Sequence, residues 1–101
     1  MYIDDCIEGI IKIFNANYSK PINLGSSEQV SINELINIIE KIANVELTKK
    51  YQLDKPLGVR GRSSDNTLIK KVLGWEPNIS LEDGLKLTYS WIYGEIDKKR
   101  V

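Results

Sequence analysis

The chain has 101 residues, of which 42% are hydrophobic and 28% charged, and its 14 basic and 14 acidic side chains cancel to a formal net charge of zero. This length and composition predict one folded globular domain and exclude an intrinsically disordered chain. Zero net charge argues against a field that attracts nucleic acid or an anionic membrane, and the apolar runs are too short for a membrane span.

The first predicted elements are a helix and a short strand. Apolar residues recur at helical spacing after Asp4 and Asp5, either of which can cap a helix, and this pattern predicts a helix from about residue 5 to residue 16. The short segment 21–24 is stopped by Gly25 and a serine turn, so it predicts a buried strand. Tyr2 and Ile3 resemble the end of a strand whose neighbours are absent.

A second helix and a second strand are predicted between residues 31 and 56. Ser31 and Glu34 have the spacing of a capping box and begin an amphipathic helix that continues to Ala43. Apolar and polar residues then alternate from Val45 to Tyr51, which predicts a half-exposed strand that ends before Pro56.

The remaining sequence predicts a loop and two further helices. Residues 57–64 contain two glycines and two arginines and predict a loop. Asp65 or Asn66 is expected to cap a short helix closed by Gly74, and Ser80 with Asp83 begins the last helix. Six apolar positions of that helix predict a broad buried stripe: Leu81, Leu85, Leu87, Trp91, Ile92 and Ile96.

Four helices and two or three short strands do not form a series of βαβ units. The fold class expected from the sequence is therefore a small α+β unit.

The loop 58–65 is the strongest candidate for a functional site. Arg60 and Arg62 can donate bidentate, charge-assisted hydrogen bonds to phosphate, and the neighbouring glycines allow a ligand to approach the backbone. The helix that follows begins close by, so its free N–H groups are expected to add to an anion site. The alternative is a solvated basic turn in which Asp65 only caps its helix.

Other chemically suggestive residues are interpreted as structural. Tyr51 and Lys55 have the Tyr-x-x-x-Lys spacing of short-chain dehydrogenases, but Lys55 precedes a proline, which disfavours the helix that this motif needs. Cys6 is interpreted as a small buried residue, and Trp75 and Trp91 as core residues.

The residue types that are missing limit the chemistry further. No glycine-rich loop of the dinucleotide or P-loop type occurs in the sequence, so no cofactor-binding residue is predicted. One cysteine and no histidine argue against zinc sites and hydrolytic triads, and one cysteine cannot form an internal disulfide. With no secretory signal recognised, we expect a cytoplasmic protein.

Several segments resemble, in order, the C-terminal part of the extended short-chain dehydrogenases that act on nucleotide sugars, the NAD-dependent epimerase/dehydratase family. These segments are residues 2–6, 21–26, 30–31 and 73–77, and the resemblance covers nearly the whole chain. Residues 58–62 and 64–70, together with 84–85 and 91–92, are similar to the GDP-mannose 3,5-epimerases within that family.

The resemblance implies that catalysis and substrate binding lie in different halves of the parent enzyme. NAD and the catalytic tyrosine and lysine belong to an N-terminal Rossmann half, and residues 1–101 form the C-terminal substrate-binding domain, which lacks the Rossmann domain. Arg62 is implied to contact the diphosphate of the nucleotide sugar, with Arg60 in support. No catalytic, cofactor-binding or metal-binding residue is implied here, since Cys6 does not match the family's catalytic cysteine. We therefore expect this chain to be the GDP-sugar-binding lobe of an epimerase and to be inactive alone. It is expected to be either a piece excised from the parent enzyme or the product of a truncated gene.

Two alternatives stay open at this point. The chain is also compatible with a free-standing binding or oligomerisation module that has no catalytic half. Separation from a Rossmann half is expected to expose apolar surface and to favour self-association, for example as a homodimer. A nucleic-acid site formed by Arg60, Arg62, Lys70 and Lys71 is disfavoured by the zero net charge.

Overall fold

The computed structural model describes residues 1–99 as four helices joined by segments without regular secondary structure. The helices are α1 (Ile3–Asn15), α2 (Ile32–Ala43), α3 (Thr67–Leu73) and α4 (Leu81–Lys99). Helices account for 52% of the residues described, and no strand occurs among them. The predicted α+β class is therefore wrong, because all the regular secondary structure of the described residues is helical.

Neither segment that was predicted as a strand pairs with a neighbouring strand. After residues 21–24, the chain is tied to the arginine loop by one backbone hydrogen bond, in which Ser64 N–H donates to the Ser26 carbonyl at 2.9 Å. A β ladder needs a repeated series of such bonds. In the second segment, Val45, Leu47 and Tyr51 are exposed, so no layer covers the predicted apolar side. Alternation specifies a strand only where a partner strand is present.

Local signals at the ends of three helices were predicted correctly. The Ser31 hydroxyl accepts a hydrogen bond from Glu34 N–H at 3.1 Å at the start of α2. The Ser80 hydroxyl accepts from Asp83 N–H at 3.1 Å at the start of α4. Gly74 ends α3 in the left-handed conformation with φ of 63°. These signals depend on residues within one helical turn, which is why the sequence contains them.

The start of α1 differs from the prediction, because neither acidic residue caps it. Tyr2 occupies the N-cap position without a side-chain cap. Asp5 is instead 1% exposed, and its Oδ2 accepts hydrogen bonds from Asn78 N–H at 3.0 Å and Ile79 N–H at 2.8 Å. A buried carboxylate is costly unless it is hydrogen-bonded in this way. Asp5 therefore ties α1 to the segment that leads into α4.

Few apolar side chains are completely buried. Within residues 1–99, Ile69 of α3 is the one fully buried apolar residue. Leu24 and Trp75 lie directly against Gly9 of α1, in the space that a side chain there would need. Among the helices, α2 packs on α4. The interior is thus a thin layer between α1, α3 and the loops.

Large apolar surfaces of α1 and α4 remain exposed. The α1 apolar face consists of Ile3, Ile7, Ile10, Ile11 and Phe14, and Phe14 is 87% exposed. Trp91 of α4 is 67% exposed, and Leu87, Ile92 and Ile96 are also exposed, so the predicted buried stripe and core role of Trp91 are wrong. Helical periodicity identifies an apolar face but not the element that covers it. Trp75 and Cys6 are partly buried.

The dimensions of the molecule agree with this incomplete burial. The Cα radius of gyration is 17.1 Å. A compact domain of this length has a radius of gyration of about 13 Å. None of the helices among the residues described combines the length and apolar character needed to cross a bilayer.

Replacing Asp5 by alanine should lower the free energy of unfolding by about 3 kcal/mol, because two N–H groups lose a charged acceptor. Urea denaturation followed by circular dichroism measures this change. The matched control is Asp4→Ala, which removes an exposed carboxylate from the same turn and should cost less than about 1 kcal/mol. Equal losses in the two variants would contradict the role assigned to Asp5.

Candidate functional site

The predicted arginine loop lies on the surface between α2 and α3. Arg60 and Arg62 are both exposed. Arg62 lines an open cleft of about 570 Å³, whereas Arg60 is not among its lining residues. We call this the Arg62 cleft; it is lined by Met1, Asn23, Leu24, Gly25, Ser26, Glu28, Arg62, Ser63 and Ser64. Of the two arginines singled out from the sequence, only Arg62 therefore contributes to the concave surface.

Two segments of the chain form the walls of the cleft. Residues 23–26 with Glu28 form one wall and residues 62–64 the other, and the Ser64–Ser26 backbone hydrogen bond joins them. A side chain at Gly25 would bring its Cβ to 3.1 Å from the Ser64 Cβ. Glycine at position 25 therefore allows the two walls to approach closely.

Asn66 adds a side-chain tie between the same two segments. It is 6% exposed, and its Nδ2 donates to the Gly25 carbonyl at 3.1 Å and to Glu76 Oε2 at 3.2 Å. The other oxygen of Glu76 pairs with Lys70 Nζ at 3.2 Å. The sequence suggested only a capping role for Asn66, and at the N-cap of α3 its side chain makes no cap hydrogen bond.

Asp65 makes the cap that was predicted for this helix. Its Oδ1 accepts from the Thr67 backbone N–H at 3.0 Å and from the Thr67 hydroxyl at 2.7 Å. The hydroxyl first, and the backbone N–H second, hold the pKa of Asp65 below its ordinary value of 3.8. The Thr67 N–H is consequently occupied, so it is not one of the free donors expected to bind an anion.

Glu28 lines the cleft and was not identified from the sequence. Its backbone N–H donates to the Ser26 hydroxyl at 3.1 Å, and its Oε1 accepts from Leu81 N–H at 3.1 Å at the start of α4. The carboxylate thus connects the cleft wall to α4. No local motif marks this role, because Leu81 lies 53 residues away in sequence.

The cleft contains side chains that can bind a ligand, but no recognisable arrangement of catalytic residues. It combines one guanidinium, three serines and backbone groups, and the buried hydroxyl oxygen of Ser64 has no protein partner. No cluster of three or more His, Cys, Asp or Glu residues suited to a metal occurs in the part of the chain that the structure describes. Tyr51 and Lys55 lie outside any helix, as expected for a chance spacing.

Sequence comparison identifies the family to which this chain belongs. No family model matches the chain. It is 46% identical over 99 residues to GDP-mannose 3,5-epimerase 1 of Oryza sativa subsp. indica, covering 98% of this chain and 26% of that protein. It is 36% identical over 91 residues to UDP-glucuronate 4-epimerase of Thermodesulfobacterium geofontis, covering 89% of this chain and 28% of that protein. The chain belongs to the NAD-dependent epimerase/dehydratase family.

The resemblance drawn from the sequence motifs is thereby confirmed, and it concerns a C-terminal part of the family's proteins. The chain spans about a quarter of the length of the curated relatives, 26% for the rice protein. A third relative is UDP-glucuronic acid decarboxylase 3 of Arabidopsis thaliana, 33% identical over 86 residues, covering 85% of this chain and 25% of that protein. The relatives differ in nucleotide and in reaction, so similarity of this segment defines the family alone.

Replacing Thr67 by valine should raise the pKa of Asp65 toward 3.8, because the hydroxyl makes the largest contribution to lowering it. NMR titration of the Asp65 carboxyl carbon measures this pKa. In the control Thr48→Val, an exposed threonine elsewhere is replaced, and the pKa of Asp65 should not change.

The same shift has a defined effect on stability. Because the pKa of Asp65 is lower in the folded state, its contribution is present above about pH 3.8 and is lost as pH falls through the folded pKa. Thr67→Val should shrink that acid-labile contribution; an unchanged pKa of Asp65 would show that the hydroxyl does not act on it.

Proposed function

We propose that this chain is the nucleotide-sugar-binding lobe of an NAD-dependent sugar epimerase and that its ligand is a GDP-sugar. The observation that carries the proposal is Arg62 in an open cleft of a chain that is 46% identical to a GDP-mannose 3,5-epimerase. Guanidinium groups bind phosphate oxygens through paired, charge-assisted hydrogen bonds. Arg62 is therefore assigned to the diphosphate.

The surroundings of Arg62 support this assignment. The guanidinium shares its wall with Ser63, an exposed serine whose hydroxyl can donate to phosphate oxygens. Arg60 lies outside the cleft lining but only two residues away, so it adds positive charge along the approach to the cleft. Glu28 on the other wall would repel an anion, which favours the Arg62 side for the diphosphate.

Catalysis is assigned to another part of the parent enzyme. The sequence has no glycine-rich loop that would fit a dinucleotide, so no chemical step is assigned to this chain. In the parent enzyme, NAD supplies transient oxidation of a sugar hydroxyl, which acidifies the neighbouring carbon. The lobe contributes binding and orientation of the nucleotide sugar, and we expect it to be inactive alone.

The exposed apolar surface supports the proposal that another domain packs against this chain. The α1 apolar face adjoins a groove of about 560 Å³ at Met1, Tyr2 and Ile3, whose far side is Leu87, Thr88 and Trp91. Continuous apolar surface of this kind marks contact regions between proteins or domains. We propose that the Rossmann half of the parent enzyme covers it.

Replacing Arg62 by alanine in the full-length enzyme should weaken binding of GDP-mannose by roughly 10-fold to 100-fold, the loss expected for charge-assisted hydrogen bonds. Isothermal titration calorimetry gives the Kd directly. Lys98→Ala is the control, since Lys98 lies at the end of α4 and pairs with Glu95. An unchanged Kd for Arg62→Ala would reject the proposed diphosphate site.

The exposed α1 apolar face also favours a second candidate, a free-standing oligomerisation module. Such a module should sediment as one discrete oligomer over a wide range of concentrations. An uncovered domain interface should instead give association that rises steadily with concentration and weakens in Phe14→Ser, because Phe14 is the most exposed member of that face. Sedimentation velocity of the 101-residue chain separates the two, and a stable dimer unaffected by Phe14→Ser would contradict the uncovered-interface explanation.

A further inference from the structure

We propose that Asn66 is a positioning residue for the Arg62 cleft, which sets the distance and angle between its two walls. The inference rests on the proposed function, since it takes the cleft to be the diphosphate site. Asn66 does not line the cleft, so its effect on a ligand must pass through residues that do.

The position of Asn66 makes it a link between the walls. It follows Arg62 by four residues, and its Nδ2 reaches the carbonyl of Gly25 on the other wall at 3.1 Å. The Ser64–Ser26 backbone hydrogen bond is a second link close by. One hydrogen bond allows two segments to pivot about it, whereas two neighbouring bonds fix their relative orientation. The side chain of Asn66 therefore supplies the constraint that a single backbone bond lacks.

The partners of Asn66 also determine which chemical group works at this position. Both groups that its Nδ2 contacts, the Gly25 carbonyl and the Glu76 carboxylate, are acceptors. Glu76 is in turn held by Lys70 at 3.2 Å. A side chain of the same shape that cannot donate would place an oxygen against two oxygens. Aspartate at position 66 should therefore separate the walls without leaving a cavity.

The decisive variant is Asn66→Asp in the full-length enzyme, with GDP-mannose as the probe. We expect its Kd to rise roughly tenfold, as for the loss of one buried donor. KM should rise with little change in kcat, because the affected groups bind and do not react. In the Arg62→Ala background, Asn66→Asp should have little further effect, since its influence passes through the placement of Arg62.

A destabilised control separates positioning from a loss of fold. Ile69 is fully buried in the helix that Asn66 precedes, so Ile69→Val lowers the thermal midpoint without touching the cleft. It should leave the Kd for GDP-mannose unchanged. If Asn66→Asp does not fold, Asn66→Ala removes the same donor without placing an oxygen against the two acceptors, and it allows the same comparison.

The outcomes distinguish this inference from the proposed function. If Arg62→Ala leaves the Kd unchanged, the proposed function fails, and the inference fails with it. If Arg62→Ala weakens binding but Asn66→Asp does not, only the positioning role is overturned. The positioning role is also overturned if the two effects multiply fully in the double variant or if Ile69→Val weakens binding equally.

Discussion

The hydrogen bonds that Asp5 accepts from Asn78 and Ile79 hold the molecule in its observed arrangement. They join the first turn of α1 to the residues before α4, 73 and 74 positions later in the chain. Because the apolar interior is thin, this polar contact and the close approach of Tyr2 to Gly84 of α4 together fix the relative position of these two helices. Met1 and Leu81, which lie beside Glu28 and the cleft, are positioned as a consequence.

The cleft is built from segments without regular secondary structure. Its walls are held by the Ser64–Ser26 bond, by Asn66 and by Glu28, each of which joins residues far apart in sequence. Binding groups are often carried by loops of this kind when a stable scaffold fixes them. Here the scaffold comprises the starts of α3 and α4, so the geometry of the arginine loop is coupled to the fold as a whole.

Features of the structure could be predicted from the sequence when the interacting residues are close together in the chain, and were missed when they are far apart. Helix caps at Ser31, Ser80 and Gly74 were predictable because each acts within one helical turn. The strands were wrong because a ladder requires a partner strand, and the exposure of Trp91 was missed because periodicity does not reveal what covers a face. Asp5 and Asn66 were missed because their decisive partners lie 73 and 41 residues away. Arg60 and Arg62 were selected by their chemistry, and the family resemblance already implied the contact for Arg62 with Arg60 in support; the three-dimensional arrangement adds that only Arg62 lines the cleft.

The α1 apolar face has a consequence for how the stability of this chain is defined. When a folded state exposes apolar surface that a second molecule can bury, association stabilises that state by mass action. Its thermal midpoint then becomes a function of protein concentration and of the amount of partner present. Folding and assembly form one linked equilibrium in such a chain, and a single free energy of unfolding has meaning only at a stated concentration.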